Sequence, residues 1–162
     1  MNGMHDSGTP LSLDELSWVD VTAHLARDAR LIVPVGAMEQ HGPHLPLGTN
    51  VLIARRLAID LSHEFGVLRA PTFSYGVNVE TERAFAGTWE RHGVTEFIVI
   101  TAHRHEPHLD ALATLLTYRA RVRVVEIWDT DVSHLLEKQD YPMHGGEAET
   151  SVMLYLYPEL VR

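Results

Sequence analysis

The stretch Leu31–Asn50, LIVPVGAMEQHGPHLPLGTN, decides the fold. Its first five residues form a continuously apolar run that stops at Gly36, the pattern of a strand buried on both faces of a parallel sheet. Pro34 argues against a fully paired central strand and suits a strand end. From Gly36 to Asn50, three glycines, two prolines and two histidines in fifteen residues make a long loop, and long ordered loops tend to carry function. Beyond it, Leu52, Ile53, Leu57 and Leu61 space an amphipathic helix over 51–65, with Asn50 placed to cap it and Gly66 to end it.

Working outward, the same alternation recurs. Residues 13–29 carry Leu16, Val19, Ala23 and Ala26 at helical spacing. Residues 67–75 read as a second strand, followed by a loop through Gly76, Asn78 and Gly87. Phe97–Thr101 is the clearest strand, 107–119 a helix, 122–127 a further strand and 147–156 a final helix. Alternating strands and helices predict a single-domain α/β fold, layered α/β/α around a mainly parallel sheet, over residues 11–162. Residues 1–10, MNGMHDSGTP, are expected to be a disordered lead-in.

Composition narrows the chemistry. The 162 residues carry a formal net charge of −9 and no cysteine, so disulfides, thiolate metal sites and a Cys nucleophile are excluded. Lys138 is the sole lysine, which disfavours nucleic acid and anionic membrane as partners. No apolar run approaches a membrane span, and residues 1–10 lack a secretory pattern, so a cytoplasmic protein is expected. Eleven histidines are the compositional oddity.

Two predicted strands end in metal-capable side chains: Glu39-Gln40-His41 after the first, His103-Arg104-His105 after the third. Residues two apart in extended backbone point the same way, so each pair can present two ligands to one point. Carboxylate and imidazole donors without thiolate suit Zn, Mn or Fe(II). A third cluster, His144-Gly145-Gly146-Glu147-Ala148-Glu149-Thr150-Ser151, is open to two readings. It is a loop and helix start with acids at the positive dipole end, or it presents His144 as a proton-transfer group.

These residues resemble a known family. Val35–Asn50 is similar to the creatininase (creatinine amidohydrolase) signature PVG-x-x-E-Q-H-G-x-H-L-P-x-x-T-D. Tyr75-Gly76 with Phe85-Ala86-Gly87-Thr88 resembles its YG…FPGT segment, and His92-Gly93 with Phe97–His103 its strand and N-G-H element. His144–Ser151 resembles H-[AG]-G-E-x-E-T-S, and the likeness continues through Tyr157–Val161. The resemblance implies a metal-dependent amidohydrolase of a small amide, often cyclic, assembled as a homo-oligomer and binding one or two divalent ions per chain. It implies Glu39, His41 and His103 as metal ligands, His144 as catalytic histidine and proton donor, and Glu149 as the active-site glutamate. The implied reaction is attack of a metal-activated water on the amide carbonyl.

Three departures bear on function. Asn50 stands where the family has a metal-bridging Asp; it is read either as a ligand or as a helix cap. His103-x-His105 replaces H-x-E, with Glu106 next, and His105 offers a neutral ligand. The interval between Gly87-Thr88 and His92-Gly93 lacks the helix usual in the family, which predicts exposed apolar surface and self-association. Glu147, Glu106, Asn50 and His44 are all open as completing ligands, and Trp89 and Trp128 as substrate walls. Alternatives to a hydrolase of a small C–N substrate are a metal-binding, inactive partner subunit and a repurposed mononuclear lyase or cyclase.

Overall fold

The structure, a computed structural model, describes residues 11–74, 79–113 and 117–162. Four strands, β1 (Arg30–Val35), β2 (Leu68–Arg69), β3 (Glu96–Thr101) and β4 (Arg121–Glu126), form one parallel sheet in the order β2-β1-β3-β4. Among the described residues five α-helices accompany them: α1 (Trp18–Leu25), α2 (Thr49–Phe65), α3 (Val79–Arg91), α4 (Glu106–Ala113) and α5 (Glu147–Leu156). The lead-in expected over 1–10 lies outside the described residues, as do Tyr75, Gly76 and Asn78.

The period of two along β1 and β3 explains the unbroken apolar run. Leu31, Val33, Val35, Phe97 and Val99 bury against Val21 and Leu25 of α1, Ala86 of α3 and Leu112 of α4. Ile32 and Ile100 pack the other way, against Ala58 of α2. A second cluster on α2 and α5 joins Ile53, Ala148 and Met153 to Leu45, Ala102 and Trp128. The layering is α/β/α, as the alternation predicts.

Several expectations are corrected. β1 is an interior strand despite Pro34, which pairs with Ile100 of β3. The Ile32 and Pro34 carbonyls both face the β2 side, accepting from the Ala70 and Phe73 amides. Alternation places the missing Pro34 N–H on that same side, where β2 has already ended at Arg69, so the β3 ladder loses nothing. The first helix is shorter than 13–29 because residues 11–13 run beside β2, exchanging hydrogen bonds with Arg69; Ser17 then caps α1. The second strand contracts to two residues plus a bridge at Phe73.

Gly87 lies inside α3, not in a loop, and α3 runs to Arg91 through the interval expected to lack a helix. Its Ala86 is fully buried and Phe85 and Trp89 pack on the core, so tertiary burial outweighs the intrinsic cost of a helical glycine. Residues 117–119 lie beyond α4 and are not helical. The final helix matches its expected bounds, and Gly66 ends α2 in the left-handed conformation (φ 64°).

Candidate metal centre

β1 leads to β2 on one side while β3 leads to β4 on the other, so the strand order reverses between β1 and β3. Ligands of open α/β sheets collect beyond the carboxyl ends at such a point. There Val35 and Thr101 pair in register, and the loops that follow carry Glu39, His41 and His103. Gly36 lets the first loop cross the start of α2: a Cβ there would lie 2.6 Å from the Val51 Cα and backbone nitrogen. Gly145, with φ +62°, brings the loop before α5 against the His41 backbone, where a Cβ would meet the carbonyl oxygen at 2.9 Å.

The site gathers six side chains. Glu39 Oε1 lies 2.6 Å from His103 Nδ1 and 3.9 Å from both His41 Nε2 and His144 Nδ1. Ligand atoms of Glu39, His41 and His144 all fall within 4.8 Å of one another. Asn50 sits among them, its Nδ2 2.8 Å from Glu39 Oε1 and 3.2 Å from His103 Nδ1, its Oδ1 3.2 Å from His41 Nε2. Glu149 reaches His41 Nε2 at 3.8 Å.

Asn50 is therefore not the helix cap. α2 begins at Thr49, Gly48 occupies the cap position without a side-chain bond, and the Asn50 amide is buried in the cluster.

The hydrogen-bond inventory at His41 does not close with a neutral ring. Its Nδ1 faces the Glu39 carbonyl at 3.1 Å and its Nε2 faces Asn50 Oδ1, so both ring nitrogens meet acceptors. A neutral imidazole donates from one nitrogen only. Rotating the amide gives His41 a donor but brings Asn50 Oδ1 to the place 2.8 Å from Glu39 Oε1, again acceptor on acceptor. Either way a positive charge is needed, which a proton on His41 or a bound cation supplies; the clustered nitrogen and oxygen donors fit a divalent ion of the Zn, Mn or Fe(II) type.

Surrounding groups orient this set. His144 Nε2 lies 2.6 Å from the Gln40 carbonyl, which makes it the N–H and leaves the Nδ1 lone pair toward Glu39. Glu149 Oε2 accepts the Gly145 N–H at 2.6 Å, and burial raises its carboxyl pKa above the ordinary value. Burial lowers the His103 pKa against the opposing pull of Glu39. His105 is exposed at the entry to α4, its ring centroid 5.5 Å from that of His103. The other completing candidates are engaged elsewhere or face solvent. Glu147 accepts the backbone N–H groups of 137–139, His44 contacts the Thr150 hydroxyl, and Glu106 is exposed in the first turn of α4.

His108 was missed in the sequence. It is buried, its Nε2 2.9 Å from the Thr101 hydroxyl and its ring edge-on to His103 at 4.9 Å. Its place three residues after His105, on the inward face of a helix, was the available signal. Beside the cluster opens a cavity of about 270 Å³, bounded by Arg104, Trp128, Tyr141, Met143, His144 and Glu149. Trp128 thus forms a wall, whereas Trp89 packs in the core on the opposite face.

Comparison with known proteins follows this geometry. The creatininase (creatinine amidohydrolase) family model matches residues 14–90 and 88–162. Creatinine amidohydrolase of Pseudomonas putida is 28% identical over 187 residues, covering 91% of this chain and 72% of that protein. Mycofactocin precursor peptide peptidase of Mycolicibacterium smegmatis is 31% identical over 154 residues, covering 80% and 58%. A creatininase crystal structure superposes with a TM-score of 0.82 at 24% identity, over 96% of this chain and 75% of that one. The chain thus spans about three quarters of the first relative and under two thirds of the second.

Proposed function

Since the chain belongs to the creatininase family, we propose that it is a metal-dependent amidohydrolase, cleaving the C–N bond of a small amide or cyclic amide. The observation that carries this reading is the surplus of electron pairs at Glu39, His41 and Asn50, which a cation resolves. Solved creatininases that share the fold include a manganese form and a Zn–Zn form.

Glu39, His41 and His103 would hold the ion. Asn50 and His105 offer neutral donors, and among the three ligands only Glu39 brings a negative charge to offset that of a metal, which favours one ion over two. When bound, the ion supplies Lewis acidity to the amide carbonyl and lowers the pKa of the attacking water. The Glu39 backbone carbonyl fixes the His41 tautomer. His144, tethered through Nε2, carries a proton at Nδ1 to the leaving nitrogen. Glu149 holds the Gly145 turn that presents His144.

We take the chain to act as a homo-oligomer, the exposed Trp18, Tyr118 and Tyr155 offering apolar surface for it. Among the described residues no helix is long and apolar enough to cross a membrane.

Asn50→Asp tests the site. Restoring a carboxylate between Glu39, His41 and His103 is expected to raise bound metal above the wild-type stoichiometry and to increase hydrolysis of a lactam or amide panel several-fold. No gain in either quantity would place Asn50 outside the metal site.

A further inference from the structure

Arg104 separates the two histidines of the His103-Arg104-His105 run and is the sole Lys or Arg among the residues bounding the cavity. Its guanidinium makes one hydrogen bond, Nη1 to the Trp128 carbonyl at 3.1 Å. The nearest carboxylates stand off: Glu126 Oε2 at 3.9 Å from Nε and Asp129 Oδ1 at 3.7 Å from Nη2. Both exceed hydrogen-bond length, and Asp129 is 70% exposed, so solvent screens it.

Glu126 does not occupy the fork either: its Oε2 is buried without a hydrogen-bond partner, 3.9 Å from Nε, and its Oε1 accepts the Trp128 N–H. The guanidinium is thus anchored by one N–H and retains most of its planar fork of donors. Such a fork matches a carboxylate bidentately. The metal cluster and His144 lie along the same cavity, so a molecule held at Arg104 by its carboxylate would carry its amide toward them.

We propose that Arg104 is the specificity-determining residue of this cavity and that the substrate is a small amide bearing a free carboxylate, of the N-acyl amino acid or lactam-acid class. This rests on the hydrolase reading for the word substrate, but the recognition itself is tested by binding alone.

The experiment is calorimetric titration of the metal-loaded chain with N-benzoylglycine and with N-benzoylglycinamide, which differ only in carboxylate against carboxamide. The wild type is expected to prefer the carboxylate by about tenfold or more. Arg104→Gln should bring the two ligands near parity, and Arg104→Lys, a point charge without the fork, should fall between. All three proteins should hold the same metal content, which separates lost recognition from a damaged centre. Equal binding of the two ligands by the wild type, or no binding of either, overturns the proposal. So does a preference that survives Arg104→Gln, because the carboxylate would then sit on the metal. If the preference behaves as expected but no carboxylate-bearing amide is cleaved, the hydrolase reading fails while the assignment of Arg104 stands.

Discussion

Replacing His144 with alanine is expected to lower amide turnover by about 10²–10⁴-fold while leaving the bound metal in place. The direction follows from the tether: Nε2 is committed to the Gln40 carbonyl at 2.6 Å, so Nδ1 is the nitrogen free to exchange a proton. An amide nitrogen is a poor leaving group until protonated, and the loss should therefore shrink for an activated aryl amide. Glu39, His41 and His103, the proposed ligands, remain in the variant. If metal leaves together with activity, His144 is a ligand instead, an assignment its 3.9 Å distance from Glu39 would then explain.

The second large effect is on stability in acid. His108 is 2% exposed, and burial, reinforced by the charges of His103 and His105, lowers its pKa to about 4 from an unfolded value near 6.5. The folded ring resists a proton that the unfolded chain accepts. Stability from this group is therefore intact above about pH 6.5 and falls as pH drops toward 4. The loss is about 2 kcal/mol by pH 5 and roughly 3 kcal/mol when complete. In chelator-treated protein, the drop in melting temperature between pH 7 and pH 5 should be about 4–8 °C smaller in His108→Gln than in the wild type. His24, also lowered chiefly by burial, stays in both proteins and cancels, whereas His103 meets the His108 ring, so the difference reports His108 together with its coupling to His103. Equal drops would contradict the assignment.

Much of this arrangement was legible in the residues. Leu31–Val35 and Phe97–Ile100 are apolar at every position because helices cover both faces, and that pattern has few other causes. The final helix was found at its true bounds because glycines precede it and its acids mark the first turn. Gly87 misled, since its helix is held by the burial of Ala86 and by Phe85 and Trp89, contacts that only the folded chain makes. Pro34 was a fair guide to its own position, next to last in β1 and past the end of β2, but not to the place of the strand in the sheet, which depends on where β2 ends.

At the site, Glu39, His41 and His103 were readable from their place after strands. The role of Asn50 was not, because a cap and a buried amide differ only in where α2 begins. His108 and the stand-off of Arg104 from its acidic neighbours are tertiary facts. Local sequence carries little of either.

The central claim is that Glu39, His41 and His103 hold a catalytic ion. Elemental analysis of untagged protein purified without chelator tests it most directly, with His103→Ala alongside. Close to one equivalent of Zn, Mn or Fe per chain is expected, largely lost in the variant. Near-zero metal that does not rise on adding these ions would contradict it, as would an equal content in His103→Ala.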